Sequence, residues 1–168
     1  MTQNITIQSD YWTGTKCLEN GVPWQVPDSI YKEDILLQND DVVLEMGTGG
    51  STIFLAARCK KVIAVETNFK WYQEVLKKIQ ELDLKNISLF YLGNQHELDN
   101  FILNCKEDIT VFSVDTVHGY NRSSQLDAFL KINQNKNLLR LLILDNYGAP
   151  ELFPNHFNVD EILPKEDG

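Results

Sequence analysis

Four short stretches of this chain end in residues suited to chemistry. LEMGTGGST, residues 44–52, sets Glu45 ahead of Gly47, Gly49 and Gly50, with the hydroxyls of Thr48, Ser51 and Thr52 between and after them. VIAVETN closes on Glu66 and Thr67; FSVDTVHGY and LLILDNYGAP break from apolar runs into Asp115 and into Asp145-Asn146. A strand that runs into a glycine-rich turn and opens a helix points free backbone amides at a ligand, and glycine lets that ligand reach the main chain. Ser51 or Thr52 is placed to cap the helix. No Gly-Lys-Ser/Thr follows, so the turn is not a triphosphate loop, and the third glycine of the dinucleotide fingerprint falls on Thr52. Glu45 repels a pyrophosphate and suits an ammonium, held directly or through water. Glu66, about twenty positions on, sits where open α/β sheets place an acid to accept both ribose hydroxyls. An amino acid joined to a nucleoside satisfies both carboxylates. The plainer reading is a tight turn with two solvated strand-end acids.

Asp115, Asp145 and Asn146 end two neighbouring strands, and such ends converge on one crevice. Three hard oxygen donors there form a set that suits Mg²⁺. They also admit a plainer reading, in which Asp115 caps a turn and Asp145-Asn146 begins an Asx turn.

Apolar runs alternate with helical patterns, the signature of strands joined by crossover helices. The expected strands are 41–46, 61–66, 87–92, 109–114 and 139–145, apolar at nearly every position, as strands covered on both faces must be. Trp71, Val75, Ile79 and Leu82 form one face of a helix with Gln73, Glu74, Lys77, Lys78 and Glu81 opposite. Segments 51–59, 96–105 and 123–133 read as further helices, and Pro27 opens another ending near Leu37. The fold class is α/β: a doubly wound, mainly parallel sheet with helices on both faces.

With 168 residues the chain is expected to form a single domain, residues 1–168. It divides into an N-terminal helical or lid segment (1–39), a βα core (40–148) and an irregular tail (149–168). Tyr11, Trp12 and Trp24 either wall an acceptor or pack, and packing is the expectation for Trp24. Cys17, Cys59 and Cys105 have no metal-ligand spacing and read as reduced, small core residues. A formal charge of −9 disfavours nucleic acid as partner, because that binding relies on basic side chains releasing counterions. No apolar run approaches a membrane span, and the first ten residues lack a secretory pattern, so the expected location is cytoplasmic.

Over about residues 40–148, LEMGTGGSTIFLA, VIAVETN and the later acid-ended strands resemble the class I S-adenosylmethionine-dependent methyltransferases. By that resemblance Glu45, Gly47, Gly49 and Gly50 surround the methionine part, Glu66 the ribose and Asn94 the adenine edge. Thr48, Ser51, Thr52, Thr67 and Asp115 complete the cofactor contacts. Asp115 with Asp145-Asn146, thirty positions on, is similar to the metal-dependent catechol and caffeoyl-coenzyme A type O-methyltransferases. That likeness implies S-adenosylmethionine and Mg²⁺ as cofactors and a hydroxyl of a small molecule as acceptor. The metal lowers the hydroxyl's pKa, a base takes the proton, and the oxyanion attacks the sulfonium methyl in line. The catechol enzymes use a lysine three positions past the first acid; here that position is His118, whose imidazole titrates in the right range. A solvated loop histidine is the alternative. Other class I branches end strand five in Asp-Asn without a metal, and a group with a GSGxST turn and a WY helix opening is also similar, at Thr48 to Thr52 and Trp71-Tyr72.

The family's sheet has seven strands, the last two a hairpin, and this chain stops before them. The expectation is a sheet lacking both: either the chain is a fragment, or the edge of strand five is covered by the tail or by a second subunit in a homodimer. Two alternatives stand beside methyl transfer. One is a non-catalytic binder of the same cofactor; the other is a dinucleotide oxidoreductase, against which Glu45 and Thr52 argue.

Overall fold

A computed structural model of the chain describes residues 13–117, 119–134, 136 and 138–145. The strands are β1 (Val42–Met46), β2 (Lys61–Glu66), β3 (Ile87–Tyr91), β4 (Val111–Val114) and β5 (Leu141–Leu144). They form one sheet in the order β3-β2-β1-β4-β5, parallel at every pairing. The helices are α1 (Gly14–Asn20), α2 (Pro27–Leu36), α3 (Gly50–Ala56), α4 (Phe69–Glu81), α5 (Gln95–Leu103) and α6 (Arg122–Asn133). This is the expected doubly wound α/β sheet. Its winding reverses between β1 and β4, and that reversal opens a crevice at the strands' carboxyl ends.

Two-sided burial explains the near-continuous apolar strands. Val43 and Val62 pack with Phe54, Leu55 and Cys59 on one face, while Leu44 and Met46 join Leu98, Ile102, Leu126 and Phe129 on the other. Phe112 and Phe129 stack with ring centroids 4.1 Å apart. Val75 and Ile79 of α4 pack with Leu18 of α1 and Ile53 of α3. Leu82, expected on that stripe, is instead the C-cap and 45% exposed, because the chain turns away through Asp83 at φ 53°.

Asparagine side chains start three of the helices: Asn68, Asn94 and Asn121 accept from the amides of Trp71, Glu97 and Ser124. Helix α1, absent from the sequence reading, is bounded by Thr13, which accepts from the Lys16 amide, and by Gly21 in the left-handed conformation. Trp24, expected to pack, is 64% exposed where the chain crosses the surface between α1 and α2. Cys17, Cys59 and Cys105 are free thiols, the first two buried. Among the described residues no helix is long and apolar enough to cross a membrane. Tyr11, Trp12 and the tail 149–168 lie outside the described residues, as does any cover over the β5 edge that the tail supplies.

At the opposite end of the sheet Asp41, 2% exposed, ties three elements together. It accepts from the Gln38 amide (2.7 Å), from Thr110 Oγ1 (2.7 Å) and from Arg140. Burial pushes its carboxyl up, but the bonds from Thr110, Gln38 and Arg140 outweigh that and hold it below the usual range. A depressed folded pKa stabilises above the unfolded value, about 4, and the benefit is lost as pH falls through the folded value. Asp41→Asn is therefore expected to cost about 2 kcal/mol at pH 7. Urea melts should show that deficit shrinking below about pH 4; a deficit independent of pH counts against the assignment.

Candidate functional site

The crevice is built first from close backbone approaches. Gly47 has φ +91°, its amide donates to the Val65 carbonyl (2.8 Å), and a Cβ there would lie 2.3 Å from the Asp115 carbonyl oxygen. At Gly50 a Cβ would lie 1.9 Å from the Val22 carbonyl oxygen. These two glycines admit other parts of the chain, the end of β4 and the segment after α1, rather than a ligand. Gly49 is the open one, since a Cβ there would meet only the Trp71 ring at 3.8 Å. Trp71 braces the turn by donating from Nε1 to the Thr48 carbonyl at 2.8 Å.

Both glutamates point inward. Glu45, 1% exposed, accepts from Ser51 Oγ (2.6 Å) and Thr52 Oγ1 (2.7 Å), and Thr52 Oγ1 in turn accepts from the Gly49 amide (3.1 Å). Burial pushes the Glu45 carboxyl up to about 8; the two hydroxyls oppose the shift, and the charges of Asp115 and Glu66 add to it. The bare carboxylate expected at the strand end is thus a hydroxyl-capped group inside the turn. Glu66, 2% exposed, takes four bonds. Oε1 accepts from the amides of Thr67 and Asn68 (2.8 Å each); Oε2 accepts from the Thr48 amide (3.1 Å) and Thr48 Oγ1 (2.6 Å). Beside it, the buried Thr67 Oγ1 has no hydrogen-bond partner among the described residues. Asn94, expected at an adenine edge, uses its side-chain oxygen to cap α5.

Asp115 and Asp145 do meet at the ends of β4 and β5, but around a residue that sequence reasoning missed. Arg122, the first residue of α6 and 4% exposed, donates from Nη2 to Asp115 Oδ1 (2.9 Å). Its Nη1 donates to the Asp145 carbonyl (2.8 Å) and lies 3.9 Å from Asp145 Oδ2. Burial and the neighbouring Asp145 push the Asp115 carboxyl up to about 7 against the pull of Arg122. On α2, burial chiefly pushes Glu33 to about 7, with Gln25 opposing and the Asp145 charge adding. The only sequence signal for Arg122 was an arginine directly after an asparagine cap, seven positions past Asp115.

The described residues give the Mg²⁺ expectation no support. Among the described residues no cluster of three acidic, histidine or cysteine side chains is placed to hold a metal. One Asp115 oxygen and the Asp145 carbonyl already serve a guanidinium. His118, the expected base, and Asn146, the expected third ligand, lie outside the described residues.

No family model and no curated protein matches the chain. Solved structures do. An rRNA methylase from Streptococcus thermophilus is similar at 20% identity over 73% of this chain and 74% of that one, with a TM-score of 0.51. A candidate methyltransferase from Streptococcus mutans, in complex with SAH, is similar at 20% identity over 84% of each chain, with a TM-score of 0.58. A dimethyladenosine transferase from Plasmodium falciparum shares 19% identity over 75% of this chain and 44% of that one, with a TM-score of 0.51. The fold is that of the class I methyltransferases, as the sequence resemblance implied.

Proposed function

We propose that this chain binds S-adenosylmethionine across the carboxyl ends of β1 and β2 and transfers its methyl group to a small-molecule acceptor. The observation that carries the reading is the environment of Glu66. Three backbone amides fix its carboxylate, while its fourth partner is the rotatable hydroxyl of Thr48. A ribose hydroxyl can take the place of Thr48 Oγ1 with no net loss of hydrogen bonds, and the orphaned Thr67 hydroxyl next to it wants a polar partner. The donor set thus fits the nucleoside part of the cofactor.

When bound, the cofactor supplies an electrophilic methyl on a sulfonium. The chain's own residues hold and orient. Gly49 leaves the turn open to close approach, Glu66 accepts the sugar hydroxyls, and the half-buried Ser51 relays Glu45 to an ammonium group. Asp115, its side chain 51% exposed, stands at the switch point where an acceptor enters. A small acceptor suits the net charge of −9, which opposes a phosphate polymer. The metal-assisted hydroxyl route is not carried into this reading, because Arg122 occupies the acid pair.

Calorimetric titration with S-adenosylhomocysteine tests the reading. Glu66→Ala is expected to weaken binding by about 1 to 3 kcal/mol, or roughly 5- to 150-fold. Unchanged affinity removes Glu66 from the site, and NAD binding without S-adenosylhomocysteine binding replaces the reading with the oxidoreductase one. Methyl transfer to any member of a small-molecule library separates an enzyme from a non-catalytic binder of the same cofactor.

A further inference from the structure

We propose that Arg122 is the resident cation of the β4 and β5 ends: it takes the place of a divalent metal, ties Asp115 to Asp145, and closes that pair to Mg²⁺. The guanidinium donates from Nε to the Thr116 carbonyl (2.8 Å), from Nη2 to Thr116 O and Asp115 Oδ1, and from Nη1 to the Asp145 carbonyl. Backbone carbonyls and carboxylates at strand ends are the oxygens a hard cation would recruit. Here they converge on a planar fork that matches them at fixed angles, which a lysine ammonium cannot do.

The fork has little freedom to leave. Arg122 opens α6, whose cap Asn121 accepts from the Ser124 amide and donates its own amide to Gln95 Oε1 (2.8 Å). The next positions, Ser123, Gln125 and Leu126, are fully buried. A divalent ion entering between Asp115 and Asp145 meets a fixed positive charge, and Asp115 offers it a carboxylate already shared. Arg122 is therefore a positioning residue: it sets the rotamer of Asp115 at the mouth of the crevice. None of this depends on which cofactor the crevice binds.

The test uses Mn²⁺ and the full chain, with free Mn²⁺ followed by electron paramagnetic resonance and no nucleoside added. The wild type is expected to leave the Mn²⁺ signal undiminished up to about 1 mM. Arg122→Gln, which frees the acids and removes the repulsion, is expected to bind one Mn²⁺ at least about tenfold more tightly than the wild type, and adding Asp115→Asn should abolish the gain. Stoichiometric binding by the wild type that Asp115→Asn removes overturns the proposal, and so does a folded Arg122→Gln that binds no better than the wild type. Should Arg122→Gln not fold, the wild-type and Asp115→Asn titrations decide the matter by themselves. A failure of S-adenosylhomocysteine to bind leaves these readouts untouched, so the two readings fall separately.

Discussion

Gly47→Ala is expected to lower the melting temperature by about 10 °C. Two costs combine at this position. The backbone sits at φ +91°, which no L residue adopts cheaply, and the added Cβ meets the Asp115 carbonyl oxygen at 2.3 Å, its carbon at 2.6 Å and the Thr116 nitrogen at 2.9 Å. Strain in the left-handed region costs about 1 to 3 kcal/mol and forcing atoms into a packed site about 1 to 3 more. Each kcal/mol shifts the midpoint of a domain this size by about 2 to 4 °C. The obstacle is backbone at the end of β4, so relief must displace Asp115 itself. Gly49→Ala is the control: its φ of 164° is ordinary extended backbone and its Cβ finds 3.8 Å of clearance. That variant should melt within about 2 °C of the wild type. Differential scanning fluorimetry on both decides it; equal melting points would contradict the packing assigned to Gly47.

These glycines show what the sequence could and could not convey. A glycine-rich turn after an apolar run was legible because the run and the turn are local. Which glycine faces a ligand was not, since the atoms that exclude a side chain from Gly47 and Gly50 belong to β4 and to the segment after α1. The strands were legible for a similar reason: burial on both faces leaves an apolar mark at every position. Helix α1 was not, because seven residues carry too little periodicity. Glu66 could be placed by its distance from Glu45 within one βαβ unit. The acid pair was found without its guanidinium, because only the parallel register of β4 and β5 brings Asp115 and Asp145 to the same Arg122. Charge pairing across a sheet leaves no periodic trace.

The crevice also sets how stability responds to pH. Burial holds Glu45 up to about 8 and Glu33 up to about 7. Between the unfolded carboxylate values, about 4, and these folded ones, the folded chain binds more protons than the unfolded chain. Stability contributed by these groups is therefore complete at the acid end of that interval and declines as pH rises through it, at up to about 1.4 kcal/mol per pH unit for each proton. Asp41 has the opposite sign and acts lower, where acid removes its contribution. Maximum stability is expected near pH 5, with a fall toward pH 8.5. Glu45→Gln keeps an acceptor and a donor for Ser51 and Thr52 without the charge, so its stability should fall less steeply and exceed that of the wild type at pH 8. Urea melts from pH 5 to 8.5 check this, and a wild type equally stable at both ends would show that Glu45 folds ionised. The same proton bears on function. An ammonium reaching Glu45 through Ser51 favours the carboxylate, so binding at pH 7 should expel the proton that folding took up. The binding enthalpy of S-adenosylhomocysteine should then change with the ionisation heat of the buffer, and Glu45→Gln should remove that part of the dependence while retaining the nucleoside contacts of Glu66.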